Sequence, residues 1–270
     1  MARPASETVR SLRWTIRSRL SEHPRLYLPL ARRKYPNSVI GNQTELVIDG
    51  FTRSAVTFAT IAFQLAQRRP VRVAHTLHAA GHVVEAVHRG VPTIVTVREP
   101  EETVLSAVIR EPYLTLDQAL SAYTRFYTRI QPLRAGLVIG RFEEVTSDLG
   151  SVIRRVNERF RTRFDEFEHD PANVERCYRI IEDRSQRPPW SEALGAFECG
   201  LIGIGEYDRA VAEHHAESDI PADAVPETRV QRPSLVREAM KQDLREELHR
   251  SSSARRLEVA RSAYEAFVSG

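Results

Sequence analysis

Between residues 46 and 57 a short apolar run, Leu46-Val47-Ile48, gives way to Asp49-Gly50-Phe51-Thr52-Arg53-Ser54-Ala55-Val56-Thr57 and then to a helical pattern. A loop that leaves a strand and enters a helix N-terminus presents unpaired backbone N–H groups and the positive end of a helix dipole, and both favour an oxyanion. The candidate anion loop is therefore Gly50, Thr52, Arg53, Ser54, Ala55, Val56 and Thr57, with Arg53 and the hydroxyls of Ser54 and Thr57 as side-chain donors. An ordinary strand-to-helix turn is the competing reading. The loop lacks the Gly-Lys-Ser/Thr ending of a triphosphate-binding loop, which weighs against Mg-dependent phosphoryl transfer.

A second group lies at Arg98 and Ser106, after the β-branched run Thr93-Ile94-Val95-Thr96-Val97. Ligands of open α/β sheets collect at the carboxyl ends of the strands. An arginine there, with a hydroxyl two helical turns later, suits a phosphate; pairing of Arg98 with Glu101 or Glu102 is the alternative. A third group is histidine. His75 and His78 stand at the end of a second strand, Val71-Arg72-Val73-Ala74, while His82 and His88 read as surface positions of the following helix. Imidazole titrates near 6.5 and suits proton transfer at neutral pH. No cysteine or carboxylate in ligand spacing accompanies these histidines, so no zinc site is expected.

The elements that must position these groups follow from periodicity. Strands are predicted at 46–48, 71–74, 93–97 and 137–139, and helices at 54–67, 79–88, 101–110, 116–131 and 147–160, with Ser54 as a helix cap. Their alternation implies right-handed crossovers and an open parallel α/β sheet over 45–165. Further helices are predicted at 171–185, 234–249 and 252–268. The stretch 186–231, with Pro188-Pro189-Trp190, reads as a substrate-side lid or a partly disordered segment. At the N-terminus Val9, Leu12, Ile16 and Leu20 share one face of a helix over 6–20, and Arg10, Arg13, Arg17 and Arg19 lie elsewhere. Packing on its own domain or on a partner subunit is the favoured reading, and contact with an anionic membrane surface the other. Pro24, Pro29 and Pro36 predict an irregular connection after it. The organisation expected is a basic helical extension at 1–44, an α/β core at 45–165 and a helical region at 166–270 belonging to the same domain.

Taken together, Arg53-Ser54-Ala55-Val56-Thr57 and Arg98-Glu99-Pro100 with Ser106 resemble the PAPS-dependent sulfotransferases, in a bacterial-type member. That family has an Arg/Lys-Ser-Gly-Thr-Thr-like loop that binds the 5′-phosphosulfate. It also has an Arg-(Asn/Asp)-Pro motif followed by a serine eight positions after the arginine, and these hold the 3′-phosphate. Arg141-Phe142-Glu143-Glu144-Val145 resembles a further strand-end segment of the family, and Arg232-Pro233-Ser234 with Arg237 resembles its C-terminal part. The resemblance implies a phosphate-loop NTPase-like sheet topology and PAPS as co-substrate without a metal. It implies Arg53, Arg98, Ser106, Arg232 and Arg237 among the donor-binding residues, and His75 or His78 as the base that deprotonates an acceptor hydroxyl. Departures are plain: Ala55-Val56 stands where the family has Gly-Thr, Glu99 replaces Asn or Asp, and Gly200, Gly203 and Gly205 match the family's glycine-rich segment poorly.

Composition limits the remaining choices. Against 39 Lys and Arg stand 36 Asp and Glu, a net charge of +3, without the dense basic block of a nucleic-acid binder. Two cysteines form no disulfide framework, and with no signal-like or membrane-length apolar run a cytoplasmic enzyme is expected. The acceptor is a hydroxyl of a small molecule, a glycan or a lipid. Tyr113, Tyr123, Tyr127, Trp190 and Tyr207 either stack on it or belong to the core, and a homodimer is left open. Two other functions compete: a Mg-dependent nucleotide kinase with a degenerate loop, and an inactive sulfotransferase-like binding protein.

Overall fold

Leu46–Gly50 (β1), Val73–His75 (β2), Thr93–Val97 (β3) and Val138–Arg141 (β4) form one all-parallel sheet in order β2-β1-β3-β4. The computed structural model describes residues 5–186, 190–217, 232, 234–250 and 253–269. Strands β1 and β3 are buried throughout, as β-branched runs covered by helices on both faces should be. Gly50 pairs with Thr96 and Val97 with Arg141, so the ends of β1, β3 and β4 come level. The chain crosses to β2 on one side of β1 and to β3 on the other. That reversal opens a crevice beyond the carboxyl ends of β1 and β3.

The helices in chain order are α1 (Ala5–Leu20), α2 (Pro24–Lys34), α3 (Val56–Ala66), α4 (Ala80–His88), α5 (Pro100–Arg110), α6 (Leu116–Ile130), α7 (Phe142–Ser147), α8 (Leu149–Phe160), α9 (Pro171–Gln186), α10 (Ser191–Glu198), α11 (Ile204–Glu217), α12 (Leu235–Arg250) and α13 (Ser253–Ser269). A 3-10 turn, Gln131–Gly136, precedes β4. Helix α3 is apolar nearly all round and carries one core cluster, shared with α8, α9 and α10. Phe51, Tyr123, Tyr127 and Phe267 anchor a second cluster on the other face, closed by α12 and α13. Tyr27, Leu28, Ile40, Val47 and Ala74 belong to a third. Residues of the N-terminal segment are thus built into the core beside β1.

Several local expectations are revised. The prolines after α1 do not break the chain: Pro24 occupies the first turn of α2, where its missing N–H costs nothing, and Pro29 lies within that helix. Ser54 does not cap α3; Ala55, in the left-handed region at φ 71°, precedes the helix with no side-chain cap. The helix expected at 147–160 is α8, capped by Asp148, which accepts the Ser151 N–H; the short helix α7 before it was not expected. Within 186–231 the structure holds α10 and α11; residues 187–189 and 218–231 lie outside the described residues.

Helix α1 packs by Trp14 and Leu20, which lie against the second and third clusters, and by its polar side. Gln118 Nε2 donates to Ser11 Oγ (2.8 Å) and Thr15 Oγ1 (2.9 Å), and Arg125 reaches Glu22 (2.6 Å) and Ser18 (2.8 Å). Arg17 donates to the Leu77 carbonyl at 3.0 Å. The apolar stripe of Val9, Leu12 and Ile16 faces outward. Among the described residues no helix is long and apolar enough to cross a membrane.

Candidate active site

At the end of β1 the backbone must pass close to β3. A Cβ on Gly50 would lie 2.4 Å from both the carbonyl oxygen and Oγ1 of Thr96, so only glycine fits. The chain then turns through Thr52, Arg53 (φ 69°) and Ala55, and two left-handed residues bring the N-terminus of α3 back toward the crevice. Ser54 holds this turn. Its hydroxyl donates to the Phe51 carbonyl (2.6 Å) and lies 2.8 Å from Thr96 Oγ1, fully buried. Ser54 is therefore a staple between the loop and β3, not an exposed anion donor. Thr52, Arg53, Ala55, Val56 and Thr57 do line the crevice, which opens into a cavity of about 1110 Å³.

Nine Arg and Lys side chains against three Glu line this cavity, and although Arg98, Arg184, Arg232 and Lys241 are ion-paired, the remaining excess favours an anionic ligand. The centre of the cationic wall is Ser106, on α5. Arg53 Nε donates to Ser106 Oγ at 2.9 Å and Arg237 Nη2, from α12, at 2.8 Å. With both lone pairs taken, the serine proton is what remains to be given to an anion. Burial and the neighbouring charges of Arg237, Arg110 and Arg98 push Arg53 down to about 9. Arg98, just past β3, stacks over Phe142 at 3.9 Å and donates to Glu102 at 3.2 Å. The expected pairing with Glu102 is thus present, and Arg98 also lines the cavity. Burial lowers the Arg98 pKa even with that carboxylate nearby. Glu102 is shared with Lys241 (2.7 Å) and Arg245 (2.6 Å), so it neutralises Arg98 only in part. Arg232 reaches the cavity edge, but it is held on α9 by Glu175 (2.8 Å) and Glu182 and lies over Tyr178.

The two candidate histidines occupy different surroundings. His75 is 2% exposed, its Nδ1 lies 2.7 Å from Thr76 Oγ1 and its Nε2 3.4 Å from Cys199 Sγ. Burial, reinforced by the charge of Arg184, pushes it down to about 3, and it does not line the cavity. His78 does line it, in the left-handed region at φ 51°. Its N–H donates to Asp49 Oδ1 at 2.9 Å, and its Nδ1 lies 2.9 Å from the Gly50 carbonyl. A carbonyl only accepts, so Nδ1 carries the proton and Nε2 keeps its lone pair for a substrate. Burial lowers the His78 pKa, which keeps the ring neutral.

The orienting group is Asp49. One carboxylate oxygen accepts the N–H groups of Gly50 and His78, each at 2.9 Å, and the other accepts His82 Nδ1–H at 2.8 Å. His82 is fully buried rather than on the helix surface, because Ile40 N–H also donates to its Nε2 at 3.2 Å. His88 is exposed as expected. Burial alone would raise the Asp49 pKa, but the His82 hydrogen bond and the two rings hold it below the ordinary 3.8. Its contribution to stability is therefore present above that value and fades as pH falls through the lower folded one. Asp49→Ala leaves three buried donors without their acceptor. The expected loss is about 3–5 kcal/mol, measured by denaturant unfolding at neutral pH.

Other lining residues carry no local signal in the sequence. Arg184, from α9, lies 3.2 Å from Thr57 Oγ1 and 3.3 Å from Glu198. Arg110 closes α5, and Arg10, Trp14 and Arg17 of α1 complete the rim. Of the aromatic candidates only Tyr113 lines the cavity; Tyr123, Tyr127, Trp190 and Tyr207 are core residues. Comparison of the chain with family models, with curated proteins and with solved structures finds no match.

Proposed function

We propose that the protein is a sulfotransferase, built on a phosphate-loop-type α/β fold and acting in the cytoplasm, that moves a sulfuryl group from PAPS to an acceptor hydroxyl. The observation that carries this reading is the convergence of Arg53 and Arg237 on Ser106, beside Arg98, in a cationic cavity that His78 also lines. That Arg53, Arg98 and Ser106 line one cavity supports the reading. The donor fits this site chemically, because two phosphate-bearing ends match several guanidinium groups that crowd one another. A volume of about 1110 Å³ exceeds the roughly 300–1,000 Å³ of a pocket for one small ligand, leaving room for donor and acceptor together.

The donor supplies an activated sulfuryl group: the acceptor oxygen bonds to sulfur as the sulfur–oxygen bond to the 5′-phosphate breaks, leaving adenosine 3′,5′-bisphosphate. His78 Nε2 takes the hydroxyl proton as the oxygen attacks, while its Nδ1–H stays on the Gly50 carbonyl. Arg53 and the uncapped N–H groups at the start of α3 stabilise negative charge on the sulfuryl and leaving oxygens. Arg98, Arg237 and the Ser106 proton hold the 3′-phosphate, so binding energy comes from a group remote from the reacting sulfur. Thr57 and Arg184 orient the phosphosulfate end.

Calorimetric titration with adenosine 3′,5′-bisphosphate in EDTA, beside AMP and ATP–Mg, tests the reading. The bisphosphate is expected to bind without metal and AMP roughly 10–100-fold more weakly, the worth of one or two charge-assisted hydrogen bonds. Binding of ATP–Mg with none of the bisphosphate overturns it in favour of a kinase. Bisphosphate binding with no turnover of PAPS against a panel of acceptors leaves a binding protein.

A further inference from the structure

Residues 6–35 hold eight Arg and Lys against two Glu, a net of +6 in a chain whose total is +3, so everything outside them nets −3. This segment is α1, α2 and the turn between them. Its inward side is already satisfied by Gln118, Arg125 and the Leu77 carbonyl. Its outward side is apolar where a soluble surface is usually polar. Val9, Leu12 and Ile16 are 54%, 60% and 50% exposed, and Leu26 and Leu30 of α2 are 56% and 54% exposed. Their spacing puts one apolar stripe on each helix. Arg13, Arg19, Arg25, Arg33 and Lys34 are exposed around them. Of the two acids, Glu22 is engaged by Arg125.

We propose that the outer face of α1 and α2 docks on an anionic lipid bilayer. Exposed apolar stripes flanked by basic side chains combine the two signals that peripheral attachment needs, insertion at the acyl boundary and attraction to anionic headgroups. A second copy of the chain is a poorer partner. A two-fold contact through this face would set the exposed Arg13, Arg19, Arg25, Arg33 and Lys34 against the same cations of a second copy, whereas a bilayer bearing phosphatidylserine supplies the missing negative charge. The same helix joins this face to the cavity: Arg10, Trp14 and Arg17 of α1 line it. A docked bilayer therefore lies about one helix diameter, roughly 10–12 Å, from the cavity rim. Docking rests on this surface alone and does not depend on the transfer chemistry.

Co-sedimentation of the full chain with phosphatidylserine–phosphatidylcholine vesicles, and with phosphatidylcholine vesicles alone, tests the proposal. Binding is expected to the anionic vesicles, to weaken in high salt and to be slight without phosphatidylserine. Leu12→Gln/Ile16→Gln and Leu26→Gln/Leu30→Gln should each weaken it roughly tenfold or more, with melting temperature and bisphosphate binding unchanged, since these side chains lie outside both core and cavity. The proposal is overturned if the chain stays in the supernatant with anionic vesicles, or if both double variants sediment like the parent. It is also overturned if light scattering shows a dimer that these substitutions dissociate, because the face then belongs to a second copy.

Discussion

His78→Asn is expected to lower kcat by roughly 10²–10⁴ while the bisphosphate binds as in the parent, the range set by loss of a positioned base. Asparagine is the informative replacement. It tolerates the left-handed backbone that His78 adopts at φ 51°, and its amide can still donate to the Gly50 carbonyl. What it removes is the Nε2 lone pair. The pH profile supplies a second readout. Burial holds the His78 pKa below its ordinary 6.5, so the neutral, base-competent ring dominates at and above neutrality. The rate is expected to be flat there and to fall only as pH drops below 6.5, with that acid limb absent in His78→Asn. A parent-like kcat in the variant, or an acid limb that survives the substitution, would remove His78 from the chemistry. His75 gives the contrast: it sits in the core against Cys199, so truncating it should appear in the unfolding midpoint and leave the shape of the rate profile alone.

How far the sequence could take this depended on the range of the interactions involved. The central strands were legible because β3 is a β-branched run and β1 opens on Leu46-Val47-Ile48, and covering both faces of a sheet requires that pattern. That the loop after β1 and Arg98 with Ser106 share one crevice was legible because each lies within one strand–turn–helix unit at the end of a neighbouring strand. The choice between His75 and His78 was not. It turns on which ring the loop turns outward, and that is settled by Asp49 and the Gly50 carbonyl. The burial of His82 depends on the Ile40 N–H, 42 residues away. Arg184 enters the site only because α9 packs against α3, which nothing in its own surroundings announces. Ser54 looked like a cap and an anion donor because both need a hydroxyl at that place; the neighbouring Thr96, fixed by strand register, claims it instead. The apolar stripe of α1 was correctly periodic, but periodicity does not say whether the partner is protein or something else.

Arg53→Gln is expected to weaken bisphosphate and PAPS binding roughly 10–100-fold and yet raise the melting temperature of the unliganded protein. The two effects have one cause. Arg53 shares a desolvated wall with Arg98, Arg110 and Arg237, and burial together with those charges lowers it to about 9. The folded chain therefore bears a penalty for keeping that guanidinium charged, fully present below pH 9 and relieved only as pH rises above about 9, where the unfolded chain binds more protons. Glutamine removes the charge but keeps an amide N–H for Ser106 Oγ, so the hydrogen-bonded hub survives. Each kcal/mol of relief is worth about 2–4 °C in a protein of this size. The ligand reverses the sign, because an oxyanion among the guanidinium groups turns mutual repulsion into attraction, and saturating bisphosphate stabilises the parent far more than the variant. Thermal unfolding of both proteins with and without the bisphosphate reads both halves in one experiment. A variant that melts below the parent without ligand would show that Arg53 holds the fold together through Ser106. A variant that gains as much from the ligand as the parent would show that the anion sits elsewhere.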